Sequence, residues 1–138
     1  MKTIQKFMIA IVLLTFFLSM TVNAQQATTK AWEVPAKYKT MKASVNLKDA
    51  GVIAIGKELW AKHCKSCHGS KGLGDGPKAA TLKTHPGDFS SATFQKQTDG
   101  DIYYKAIIGR DEMPNYEKKI PSESDRWSLV AFMRTLKK

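Results

Sequence analysis

Both cysteines of the chain lie in one pentapeptide, Cys64-Lys65-Ser66-Cys67-His68. Stability from a disulfide grows with the loop it closes, so a bond across two intervening residues would constrain almost nothing. The thiols therefore cannot staple distant parts of this chain together. The fold has to rest on what the chain buries by itself and on whatever the two sulfurs hold. Two thiols at this spacing suit a redox disulfide, half of a zinc site or a covalent bond pair to a porphyrin, and each implies a different function.

Compartment narrows the choice. The chain opens MKTIQKFMIAIVLLTFFLSMTVNAQQ, with Lys2 and Lys6 as a positive end, an apolar stretch over 7–22 and small residues at Val22, Asn23 and Ala24. This pattern reads as a secretory signal peptide cleaved after Ala24. The alternative is an uncleaved membrane anchor, for which the apolar run falls short of the roughly 20 residues a spanning helix wants. The expected location is the periplasm, and the expected mature chain of 114 residues suffices for one domain with a modest core. The sequence carries 22 Lys and Arg against 12 Asp and Glu, a net charge of +10 that loss of Lys2 and Lys6 lowers to +8. A basic surface attracts acidic partners. Nucleic acid is not expected for an exported chain whose lysines are scattered, so the reading is an acidic protein docking face or an anionic membrane surface, with plain solubility as the simpler role.

Helical patterns and loops fill the mature chain. Residues 25–50 read as an irregular, lysine-rich N-terminal arm that either wraps the domain or stays mobile. From Ala50 to about His63, Val52, Ile55, Leu59 and Trp60 recur at steps of three and four, one face of a helix that delivers the cysteines at its end. Gly69, Gly72, Gly74, Gly76 and Pro77 then enforce a loop. A second helix is expected over 98–109, with Thr98 as N-cap, Asp101 as capping-box acid and Gly109 as stop. A third is expected over 122–138, capped by Ser122, with Trp127, Val130, Ala131 and Leu136 on one face. The expected fold is small and all-α, three main helices joined by long loops. So few helices bury too little to fix such loops, and a large, flat, apolar cofactor would supply the missing core.

The pentapeptide meets that need. Zinc requires four ligands, and His63 and His85 stand at no zinc spacing. A thioredoxin-like pair belongs in a βαβ setting, and no strand pattern is present. Cys-x-x-Cys-His has a direct reading as haem attachment: two thiols add to the vinyl groups and the next imidazole lies beneath the iron. The opposite iron face decides between an electron carrier, with methionine or histidine bound, and an open site for small molecules or catalysis. Met113 is the candidate, because it follows a helix stop and Pro114 holds its backbone extended. Met41 lies in the arm, Met133 reads as a core residue of the last helix, and His85 is the rival ligand.

These residues resemble the class I c-type cytochromes, in particular small bacterial monohaem proteins with a GxGDGP loop. The resemblance covers 51–138 and rests on GKELWAKHCKSCHG, GLGDGPKAATL, PGDF, TDGDIYYKAIIGR, MPNY and LVAFMRTLKK in that order. It implies one covalent haem c held by Cys64 and Cys67, axial ligation by His68 and Met113, and a Pro77 carbonyl that accepts the free ring N–H of His68. It also implies a close crossing of the first and last helices at Gly56, Trp60, Leu129 and Phe132, and a weaker placement of Pro86, Asp88 and Phe89 near the haem edge. The implied function is one-electron transfer rather than catalysis, with redox proteins as partners and transient association with membrane respiratory complexes. The alternative is a haem enzyme or gas-binding protein with a displaceable distal ligand. Lys62, Lys65 and Lys71 stand close to the haem motif and would steer an acidic partner.

Overall fold

The structure, a computed structural model, describes residues 31–138. The expected signal peptide lies outside the described residues, as do the first residues of the arm. Among the described residues six helices form: α1 (Ala36–Lys39), α2 (Ala50–His63), α3 (Lys65–His68), α4 (Ala92–Gln95), α5 (Asp99–Ile108) and α6 (Glu123–Thr135), with a 3-10 turn at Ala79–Thr81. Among the described residues the only β pairing is one isolated bridge between Arg110 and Met113. The fold is all-α, as the helical patterns require. No described helix is long and apolar enough to cross a membrane.

Each long helix starts where its capping residue says it should. The Asp49 side chain accepts from the Val52 N–H at 3.0 Å to open α2. Thr98 and Asp101 exchange side-chain and backbone bonds in a full capping box at α5, and Ser122 accepts from the Asp125 N–H at α6. Such caps satisfy N–H groups that no helical carbonyl reaches. The last helix ends at Thr135, short of the expected 138, and its basic last-turn residue Arg134 is engaged elsewhere. That guanidinium donates to the Asp99 carboxylate at 2.6 and 2.8 Å and to the carbonyls of Gln95 and Gln97. One side chain thereby ties the end of α6 to α4 and to the start of α5.

Helices α2 and α6 cross at Gly56. A β-carbon there would lie 1.9 Å from the Ser128 carbonyl oxygen and 2.9 Å from the Phe132 β-carbon, so only glycine permits this approach. Trp60 and Phe132 fill the angle beside it with ring centroids 5.6 Å apart. Leu129, expected at the crossing, is buried in the core together with Trp60, Cys64, Ile102, Ile107, Ile120, Trp127 and Met133.

From residue 31 onward the arm packs, the first of the two courses open to it. Val34 is buried, the Tyr38 ring meets Tyr103 and Tyr104, and the Tyr38 carbonyl passes close over Gly100 at the start of α5. Beyond it, Met41, Ala43, Val45 and Leu47 turn inward onto the core while the residues between them face solvent. This is an alternation of period two in a segment that pairs with no strand.

Candidate functional site

The site begins at the end of α2. The Cys64 N–H still bonds the Trp60 carbonyl, and one further turn carries Cys67 and His68, whose N–H groups both point at the Cys64 carbonyl. Positions i, i+3 and i+4 of a helical turn share a face. That geometry explains the spacing of the pentapeptide: it sets two sulfurs and one imidazole side by side.

A helical turn leaves its last carbonyls without partners, and here each finds one. Trp60 Nε1 donates to the Gly69 carbonyl at 2.9 Å inside the core. The glycine-rich loop folds back so that Gly74, Gly76 and Lys78 donate their N–H groups to His68, Cys67 and Ser66 respectively. The loop is thus the C-terminal cap of the turn that carries the two thiols. Pro77, between Gly76 and Lys78, is held against the Ser66 and Cys67 carbonyls by its neighbours.

A second carbonyl, that of Pro86, bears on the charge of the His68 ring. The ring wedges between Trp60, at 5.7 Å, and Phe89, at 4.6 Å. Burial pushes its pKa down to about 4; the Pro86 carbonyl opposes that shift and His85 adds to it. The imidazole is accordingly neutral at pH 7, with a lone pair free for a metal. The Pro86 carbonyl bears on the ring's charge without a well-formed bond to Nδ1, which is the buried side-chain polar atom left unpartnered among the described residues.

The thiols point the same way. Burial, with Cys67 as a secondary cause, pushes Cys64 up to about 12, the opposite of the lowered pKa that marks a redox thiol. The described residues bring no three His, Cys, Asp or Glu side chains together as a metal site, which sets zinc aside. An unspent thiol pair and a neutral, dry imidazole on one face fit a covalently bound haem. Cys64 and Cys67 would hold the porphyrin and His68 would ligate its iron.

Met113 follows the end of α5. At the end of α5, Gly109 (φ +70) has no room for a β-carbon, which would lie 2.2 Å from the Met113 carbonyl oxygen and 2.5 Å from that of Pro114. The chain doubles back, the Met113 N–H bonds the Arg110 carbonyl at 2.8 Å, and Asp111 adopts φ +50. Met113 is partly buried against the same core cluster that contains Cys64. Met133 is fully buried inside α6, and Met41 lies by Gly100.

Tyr116 was not singled out from the sequence, yet it ties the segment after Met113 to the end of α2. Its N–H bonds the Ile107 carbonyl at 2.7 Å and its hydroxyl donates to the His63 carbonyl at 3.0 Å. Burial raises the phenol pKa, and both cysteine thiols add to the rise. Its position three residues past Met113, in MPNY, was the available signal. His85 accepts the Gly87 N–H on Nδ1 at 3.0 Å and acts electrostatically on His68. The structure therefore places this rival ligand beside Pro86, in the loop on the His68 side.

A cytochrome c family profile matches residues 53–137. Among solved structures, the chain is similar to one from the Kuenenia stuttgartiensis reducing HAO-like protein complex Kustc0457/Kustc0458, at 26% identity and a TM-score of 0.59, over 74% of this chain and 53% of that one. It therefore spans about half the length of that relative. It is also similar to the KustC0563 c-type cytochrome, at 29% identity and a TM-score of 0.53, over 60% of this chain and 98% of that one. No curated protein matches the chain.

Proposed function

Because the chain belongs to the cytochrome c family and is a haem c redox protein, we propose that it is a periplasmic one-electron carrier with His68 and Met113 as axial ligands. Bound haem c supplies a reversible one-electron couple. The chain's residues do the rest. Cys64 and Cys67 fix the porphyrin covalently, and the neutral His68 ring offers a nitrogen donor wedged between Trp60 and Phe89. A thioether at Met113 is uncharged and soft, so it favours the reduced state and raises the potential relative to a second imidazole. Burial of the site opposes the extra positive charge of the oxidised state in the same direction.

The observation that carries the reading is the placement of the methionines. Among the described methionines, Met113 alone stands in a turn joined through Tyr116 to the end of the helix that delivers the cysteines. His85 supports the reading by lying in the Pro86 loop. Redox proteins are the partners, and the likeness to a chain of a redox complex fits a protein that docks on another. The net charge of +8 left after cleavage fits an acidic docking face on such a partner. The opening segment supports export through a cleaved signal peptide.

The test is the absorption spectrum of the purified oxidised holo-protein. The expected result is the weak long-wavelength band of methionine sulfur on ferric haem, lost in Met113→Ala with the haem still attached. Attached haem without that band in the wild type would move the protein to the second reading, an enzyme or gas-binding protein with an open or displaceable position.

A further inference from the structure

The Met113 turn is held by more than its own backbone. Asp111 sits at φ +50, a conformation that residues with a β-carbon adopt at a cost. Such a turn persists when contacts on both sides determine it. On one side Arg110 lies over the Trp32 ring, 4.4 Å from its centroid, and donates to the Ala31 carbonyl at 3.2 Å. On the other, the Glu112 carboxylate crosses to the loop before Pro86. It accepts the Lys83 N–H at 2.9 and 3.2 Å and the Thr84 N–H at 3.2 Å.

Two features give this second clamp its meaning. Residues 83–84 lie directly before His85 and Pro86, and the Pro86 carbonyl bears on His68. Glu112 lies directly before Met113. One carboxylate thus fastens the loop of the proposed methionine ligand to the segment that leads to Phe89, whose ring packs against His68 at 4.6 Å. Hydrogen bonds from backbone N–H groups to an ionised carboxylate are stronger than neutral ones, and two N–H groups converging on one side chain fix its direction.

We propose that Glu112 is the positioning residue for Met113: it holds the methionine turn closed by anchoring it to the 83–84 loop, and so sets how readily an outside ligand displaces the sulfur. The inference rests on Met113 being the ligand. Without the clamp the strained turn opens more often, and each opening exposes the iron face that the sulfur covers.

The experiment is an optical titration of the ferric holo-protein with imidazole. Glu112→Ala is expected to bind imidazole about fivefold more tightly than wild type, because the contacts are charge-assisted but exposed to water. Glu112→Gln, which keeps one acceptor oxygen, is expected to fall between them. In a Met113→Ala background, which itself binds imidazole more tightly, adding Glu112→Ala is expected to change nothing, since there is no sulfur left to hold. Unchanged affinity in Glu112→Ala would overturn the clamp. So would an equal effect with and without Met113, because Glu112 would then act on access to the pocket. A Met113→Ala protein that keeps the long-wavelength band and the wild-type affinity would overturn the ligation reading itself, and the clamp with it.

Discussion

His63 stands one residue before Cys64 and presents its ring edge-on to Tyr116, with centroids 5.8 Å apart. Burial holds its pKa below the usual histidine value, and Lys62 and Lys119 push it the same way. A histidine whose folded pKa is lowered takes up its proton more readily in the unfolded chain. Its contribution is therefore neutral well above pH 6.5 and becomes destabilising as pH falls through that value. The expected outcome is a loss of stability between pH 7 and pH 5 that is smaller in His63→Gln, read as the variant's shallower dependence of denaturant midpoint on pH. Added salt is expected to narrow the gap between the two proteins, since the lysine contributions are screened. At this scale the cysteines and His68 were legible because three positions of one helical turn are a local matter. Pro86 was placed near the haem edge only by resemblance and Tyr116 was not singled out, because each reaches the site from a loop whose path depends on the fold: Lys78 bonds Ser66, and the following loop brings Phe89 to the ring.

Among the elements, the crossing of α2 and α6 is the contact that positions the thiols, since α2 delivers Cys64 and α6 supplies Phe132 against Trp60. Gly56→Ala would set a methyl group against the Ser128 carbonyl oxygen, at 1.9 Å before any adjustment. Backbone cannot rotate away as a side chain can, so the helices must separate. The expected cost is about 1–3 kcal/mol, the range for overpacking a tight core, measured as a lowered denaturant midpoint of the holo-protein. A midpoint equal to wild type would show that the helices part without loss. The three long helices were readable from apolar steps of three and four and from their capping residues, which are local signals. The short helices α1, α3 and α4 were not, because four residues carry too little periodicity. The arm was left open between wrapping and mobility for a different reason: Met41, Ala43, Val45 and Leu47 alternate as a strand would, but the segment lies on a helix-built core.

Across the whole molecule the excess of positive charge is the largest feature that the fold does not consume. Only two ion pairs form among the described residues, Arg134 with Asp99 and Arg110 with Asp111, so most lysines face water and shape the field that a partner meets. Lys62 and Lys119 both act on His63, which places positive charge from two distant segments next to the helix end that carries Cys64. An acidic redox partner would be drawn to that end, and steering of this kind acts on the association rate more than on the strength of the final complex. Electron transfer from a small acidic flavodoxin is therefore expected to slow as ionic strength rises from 0.01 to 0.15 M, where the screening length shrinks from about 30 to about 8 Å. The double reversal Lys62→Glu with Lys119→Glu is expected to lower the rate at low salt by about tenfold and to flatten its salt dependence. Lys42→Glu with Lys48→Glu, the same change of net charge placed on the arm, separates the local field from the total. If both pairs slow the reaction equally, net charge alone governs the encounter; if the reversal at positions 62 and 119 acts more strongly, the partner docks where the cysteines meet the surface.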